Sequence, residues 1–271
     1  MTLFQAILLG IVQGITEFLP ISSSGHLVIV PYLFGWQLLE QEIFVFDVLV
    51  QLGTLLAVIL YYWSDLTGIL RAWLQGIAKR TPFADEKARL GWYLIVATIP
   101  AGIVGLALKD QVEAAFSSIT STAVGMLLTA GLLLFAEWSN KHARPQSKID
   151  WWDAIIIGVY QALAIFPGVS RSGSTITGGM LRDLDRQSAA KFSFLMAVPV
   201  MLAAGGIAVL DLIEVPDLAS FLPNLIAGFA AAAVVGYAAI AWLLRFLSSH
   251  SVRNFAIYLL VVAVLLLGVQ A

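Results

Sequence analysis

Apolar residues run through this chain in long blocks, and the polar positions between them are few and clustered. Ten apolar segments can be drawn. Six read as bilayer crossings, at 43–63, 92–108, 119–138, 190–210, 224–244 and 255–268; a crossing helix takes about 20 apolar residues. The other four form two broken pairs, 3–19 with 21–36 and 152–166 with 175–181. Each half-segment is short for a crossing, so each pair predicts a re-entrant helix–loop–helix. The first interruption reads EFLPISSSGH over residues 17–26, and the second reads PGVSRSGS over 167–174.

The two interruptions resemble each other. A shift of 148 residues lays Gly10 on Gly158, Gln13 on Gln161, Phe18 on Phe166, Ser22 on Ser170, Ser24 on Ser172 and Gly25 on Gly173. Ile21 falls on Val169, and Phe44 and Phe46 fall on Phe192 and Phe194. Those first six identities exceed the roughly one expected from average residue usage, so the chain carries an internal repeat. Each half, 1–140 and 150–271 of a single membrane domain spanning 1–271, holds one re-entrant pair and three spans. An odd number of crossings sends the second half in from the opposite face. The expected fold is therefore an all-α polytopic membrane protein built as an inverted-topology repeat.

Composition agrees. Of the 271 residues, 60% are hydrophobic and 12% charged, where a soluble domain has about 25% charged. The absence of cysteine excludes disulfides and thiolate metal sites. The N-terminus has no basic stretch or cleavage site, so the first apolar segment is expected to stay. Trp36, Trp63, Trp92, Trp138, Trp151 and Trp152 stand at segment ends as an interfacial belt. Nothing points to nucleic acid.

The charges orient the chain. With 37–42 outside, residues 64–91 are cytoplasmic and hold Arg71, Lys79, Arg80, Lys87 and Arg89. Apart from Lys109 and Arg171, every Lys and Arg then lies inside, as the positive-inside rule expects. Both chain ends are extracytoplasmic in this arrangement.

Hairpins entering from opposite faces meet near the midplane, where polar backbone is tolerated only in protein or beside a cavity. Pro20 stops the first helix, and Ser22, Ser23 and Ser24 are N-caps for the next. Pro167 and Ser170 to Ser174 repeat the arrangement. Two helix N-termini facing one cavity make an anion site. Arg171 adds a planar charged fork suited to phosphate, with an ion pair to Glu17 as its structural alternative. Gln13 and Glu17 share a helix face, and His26 follows Ser23 by three residues. Hydroxyl, imidazole and carboxylate are the parts of an activated nucleophile. Gln51 can line the same cavity.

These stretches resemble the bacterial undecaprenyl-diphosphate phosphatase family, also known for bacitracin resistance. Its first motif, Glu/Gln-x-x-x-Glu, stands here as Gln13 to Glu17 and continues through Phe18-Leu19-Pro20-Ile21-Ser22-Ser23-Ser24-Gly25-His26. Its second, PGxSRSxxT, stands as Pro167 to Thr175. Many relatives have Glu where this chain has Gln13. The resemblance implies removal of the terminal phosphate from undecaprenyl diphosphate, which recycles a carrier lipid for peptidoglycan. It implies a divalent cation and a bacterial inner-membrane site open to the outer leaflet; Glu17 is expected either to orient His26 or to hold Mg²⁺ or Ca²⁺. The expected catalytic residues are Glu17, Ser23, His26 and Arg171. Gln13, Ser22, Gly168, Ser170, Ser172, Gly173 and Thr175 are expected around the polyprenyl diphosphate. In the expected mechanism Ser23 attacks and His26 takes its proton, with His26 itself as the alternative nucleophile. The sequence is compatible with a homodimer. The rival function is a transporter or flippase for a phosphorylated lipid or small anion, because inverted repeats with broken helices are a transporter design.

Overall fold

The computed structural model describes every residue except 39, 117, 141–143, 212–217 and 271. Among the described residues it is all-helical apart from one isolated bridge between Arg144 and Leu184. In chain order the helices are α1 (Leu3–Thr16), α2 (Ser23–Leu33), α3 (Glu40–Tyr61), α4 (Trp63–Ala78), α5 (Glu86–Ala107) and α6 (Lys109–Phe116). They continue with α7 (Ile119–Ser139), α8 (Trp151–Leu163), α9 (Arg171–Leu181), α10 (Arg186–Asp211), α11 (Leu218–Leu247) and α12 (Arg253–Gln270).

The helix starts follow from side chains that answer unpaired backbone N–H groups. Thr2 and Gln5 form a capping box on α1, and Asp150 and Asp153 form one on α8. Ser22 accepts from the Gly25 N–H to cap α2, and Ser170 accepts from the Gly173 N–H to cap α9. Each of these pairs is again separated by 148 residues, so the sequence repeat extends to local structure.

By length and composition, Glu86–Ala107, Ile119–Ser139 and Phe221–Leu247 can cross a membrane. The bent pair Phe46–Tyr61 and Trp63–Ala78 makes a fourth if counted as one span, with a bend of 80°. The chain is an integral membrane protein. Residues 64–91 are not a bare connection, because α4 takes up 64–78. Leu66, Ile69, Leu70, Trp73, Leu74 and Ile77 recur at helical spacing and make α4 amphipathic. Lys191 of α10 bonds Asp65 of α4 at 3.0 Å and fastens it to the bundle.

The broken pairs are held by long helices. α1 lies on α11, and α8 lies on α5. The approach is close: a Cβ at Gly10 would sit 2.3 Å from the Gly228 carbonyl oxygen, and one at Gly158 would sit 2.6 Å from that of Ala97. At the end of α1, the buried ring of Phe18 meets Phe194 of α10 edge-on at 5.3 Å. That contact fixes where the chain turns out of the first helix.

Candidate active site

α1 ends at Thr16, and the turn that follows presents Glu17 beside the start of α2. Glu17 is 8% exposed and accepts hydrogen bonds at both oxygens. Its Oε2 accepts from Gln13 Nε2 at 2.9 Å and from the Ser23 hydroxyl at 2.7 Å. Its Oε1 accepts from Arg171 Nη2 at 2.8 Å. Arg171 opens α9, and its Nη1 also donates to the Ser193 carbonyl at 3.3 Å. Ser172 Oγ donates to the Leu19 carbonyl at 3.0 Å. The two interruptions therefore meet through an ion pair and a hydrogen bond. The first turns of α2 and α9 lie here, where backbone N–H groups precede any i−4 carbonyl.

His26 departs from expectation. Its Nδ1 lies 2.7 Å from the Ser22 carbonyl oxygen, and its Nε2 lies 2.7 Å from the Tyr258 hydroxyl of α12. Ser23 gives its hydrogen bond to Glu17 instead. The reason is local. Ser22 lies four residues before His26, so its carbonyl is in reach of the ring, and the turn at Pro20 brings Glu17 beneath Ser23.

Ser22 holds a φ of 70°, in the left-handed region, where a non-glycine residue costs about 1–3 kcal/mol. Its counterpart Ser170 has an ordinary φ of -73°. Gly168 has a φ of 80°, and a Cβ there would lie 1.9 Å from the Thr122 carbonyl oxygen. Only glycine satisfies both the dihedral and the space. Gly168 thus shapes the second loop against α7.

A cavity of about 170 Å³ lies between the two interruptions. Glu17, Ser23, Gln51, Ser170, Arg171 and Met201 are among its lining residues. Thr175 is not: fully buried, its hydroxyl donates to the Arg171 carbonyl at 2.7 Å and meets Ser193 Oγ at 2.6 Å. Gly173 packs against Thr129 and Ser170. Gln13 lies under Glu17, fully buried.

The chain matches the model of the bacitracin resistance protein BacA family over residues 6–265. It belongs to this family. It is 44% identical to the undecaprenyl-diphosphatase of Chlorobium phaeovibrioides, over 98% of this chain and 96% of that one. The undecaprenyl-diphosphatase of Myxococcus xanthus is 42% identical, over 98% of this chain and 89% of its own length. That of Chlorobium phaeobacteroides is also 42% identical, over 100% and 98%.

In this BacA-family chain, three residues of the site lie outside both motifs. Ser193 sits inside a 26-residue helix and reaches Arg171 and Thr175. Thr129 Oγ1 accepts from the Ser170 N–H at 3.0 Å. Tyr258 stands 232 residues from His26. The halves themselves held one clue to Ser193: under the 148-residue shift it pairs with Val45, so a hydroxyl stands in only one of them.

Proposed function

We propose that this chain hydrolyses undecaprenyl diphosphate to undecaprenyl phosphate and inorganic phosphate. The observation that carries this is Glu17 binding both the Ser23 hydroxyl and the Arg171 guanidinium where two helix N-termini face one headgroup-sized cavity. That set combines a hydroxyl nucleophile, a neighbouring proton acceptor and an anion cradle. Its sequence context is that of relatives named undecaprenyl-diphosphatase along their whole length.

The terminal phosphate enters the cradle formed by Arg171 and the N–H groups at the starts of α2 and α9. Ser23 Oγ attacks the terminal phosphorus, and the bridging P–O bond breaks to release undecaprenyl phosphate. The hydroxyl proton passes to Glu17 Oε2, the atom it already points to. As water cleaves the phosphoserine, Glu17 returns its proton to Ser23 Oγ and takes one from the water, which leaves inorganic phosphate and the free hydroxyl; His26, bonded at both ring nitrogens, braces the start of α2. Arg171, already oriented by Glu17 and Ser193, balances charge on the non-bridging oxygens.

A divalent cation, Mg²⁺ or Ca²⁺, fits the donor set in one way. Among the described residues no cluster of three or more His, Asp or Glu side chains forms a protein cage. Glu17, with the buried and unpartnered Oε1 of Gln13, offers the few oxygens that Mg²⁺ takes when substrate phosphates and water complete its shell. Bound there, the cation supplies charge neutralisation on the diphosphate.

The same proposal includes two inverted repeats, 1–140 and 150–271, each with a re-entrant pair and three spans. Matching capping boxes, matching serine caps and the parallel seating of α1 on α11 and α8 on α5 support it. The distribution of Lys and Arg supports a site open to the outer leaflet.

The test is phosphate release from undecaprenyl diphosphate by detergent-purified protein. Release should fall by at least two orders of magnitude in Ser23→Ala, Glu17→Gln and Arg171→Ala, each checked for folding. Near-normal release in Ser23→Ala moves the nucleophile to His26 or water. Lipid transport by reconstituted protein without any release makes it a carrier.

A further inference from the structure

A second cavity, of about 400 Å³, lies between α3, α4, α5 and α10, outside both motifs. Ile59, Trp63, Ile95, Val198, Pro199 and Leu202 are among its walls. No charged side chain stands among its described lining residues, and the Thr67 hydroxyl there donates to the Trp63 carbonyl at 2.8 Å. Such a groove has little to offer a polar ligand and suits hydrocarbon. Leu202 is 55% exposed and Ile95 37%, so the groove opens on the lipid-facing side.

The groove and the headgroup cavity share a seam. On α3, Gln51, Leu55 and Ile59 follow at four-residue spacing and lie on one face. Gln51 lines the headgroup cavity, and Ile59 lines the groove. Between them, Leu55 packs with Ala197 and Met201 of α10. Met201 lines the headgroup cavity, while Val198, one turn away, lines the groove and packs on the same cluster. From Gln51 to Ile59 the rise along α3 is about 12 Å.

We propose that this groove is the subsite for the polyprenyl tail of the diphosphate lipid. The identity of the lipid rests on the hydrolytic reading above. With the site open to the outer leaflet, the headgroup lies outermost, and the tail runs inward along α3 from Gln51 toward Trp63. Met201 stands where the tail leaves the headgroup cavity, and its unbranched side chain can adapt to the passing chain. Lipid tails are as apolar as the groove, so the groove acts through packing and direction, not through transfer out of water. An ordinary phospholipid has no diphosphate to seat against Arg171, so the occupant is the tail of the lipid whose headgroup fills the cavity.

Photolabelling of the wild-type chain tests this directly. The probe is a polyprenyl diphosphate carrying a diazirine in its third isoprene unit. Label is expected within 59–73 and 195–202, displaced by excess undecaprenyl diphosphate and not by phosphatidylglycerol. Label confined to other helices overturns the proposal, and so does equal displacement by phosphatidylglycerol. The double variant Leu202→Trp, Ile95→Trp fills the groove from its exposed side. It should raise KM for undecaprenyl diphosphate about ten-fold and keep kcat within about two-fold, because overpacking there removes binding common to ground and transition states. Geranyl diphosphate, whose short tail ends before the groove, should give the same kinetics with variant and wild type. A wild-type KM for the long lipid, or an equal rise for the short one, overturns the proposal. If the wild-type chain releases no phosphate, the hydrolytic reading fails, and the photolabelling still decides where the tail lies.

Discussion

Removing Arg171 separates its part in holding the fold from its part in the chemistry. Arg171→Ala leaves the Glu17 carboxylate 8% exposed, bonded only by the Gln13 amide and the Ser23 hydroxyl. Breaking a buried pair by deleting one partner costs about 3–5 kcal/mol, because the remaining charge stays desolvated. The two surviving hydrogen bonds place this case at the lower end, about 3 kcal/mol. For a chain of this size that lowers the melting temperature on the order of 10 °C. Adding Glu17→Gln removes the stranded charge, and the double variant should regain about 2 kcal/mol, within the usual range for coupled neighbours. Phosphate release should stay lost in the double variant, since neither guanidinium nor carboxylate remains. The assay pairs thermal unfolding in detergent, followed by tryptophan fluorescence, with phosphate release from undecaprenyl diphosphate. An Arg171→Ala protein that melts like wild type refutes the desolvated ion pair. A double variant that hydrolyses at the wild-type rate refutes the role of both side chains.

Other positions give sharper local tests. Ser22→Gly should raise stability by about 1 kcal/mol, because it relieves a φ of 70° while the change from Ser to Gly at an N-cap costs only a few tenths; Ser22→Ala should lower it by about the same amount, and comparative melting curves check both. Gly168→Ala should yield little folded protein by size-exclusion chromatography, since a Cβ 1.9 Å from the Thr122 carbonyl oxygen meets backbone that cannot move aside. Asp153 is fully buried and accepts from Arg144 at 2.7 Å and Arg182 at 2.8 Å. Asp153→Asn should cost about 3 kcal/mol in melting experiments yet leave KM nearly unchanged, because the first turn of α8 lies roughly 16 Å along the helix axis from Ala164 at the cavity.

Much of this protein could be read from its residue order. Both interruptions, their serine caps and their separation by 148 residues are local features, set by dihedral preference and the need to satisfy the first N–H groups of a helix. The pairing of Arg171 with Glu17 was open as one of two roles for the arginine, because a charge in an apolar setting demands a partner. α4 went unread within the segment 64–91, although Leu66, Ile69, Leu70 and Trp73 stand at helical spacing, and its 80° turn from α3 was not legible. A bend at one residue leaves little trace in a hydrophobic pattern that continues through it.

What the order of residues could not give is which hydroxyl, carboxylate and imidazole touch. It placed Ser23 and His26 three apart and suggested contact, whereas the folded chain turns Ser23 to Glu17 and His26 to Tyr258. Ser193 and Tyr258 enter the site from helices that look like ordinary apolar segments. Local chemistry decides where a helix starts and stops, since it acts within one turn. Which side chains then share a proton depends on helices packed from distant parts of the chain, and a hydrogen bond answers to distances of a few tenths of an ångström that only that packing sets.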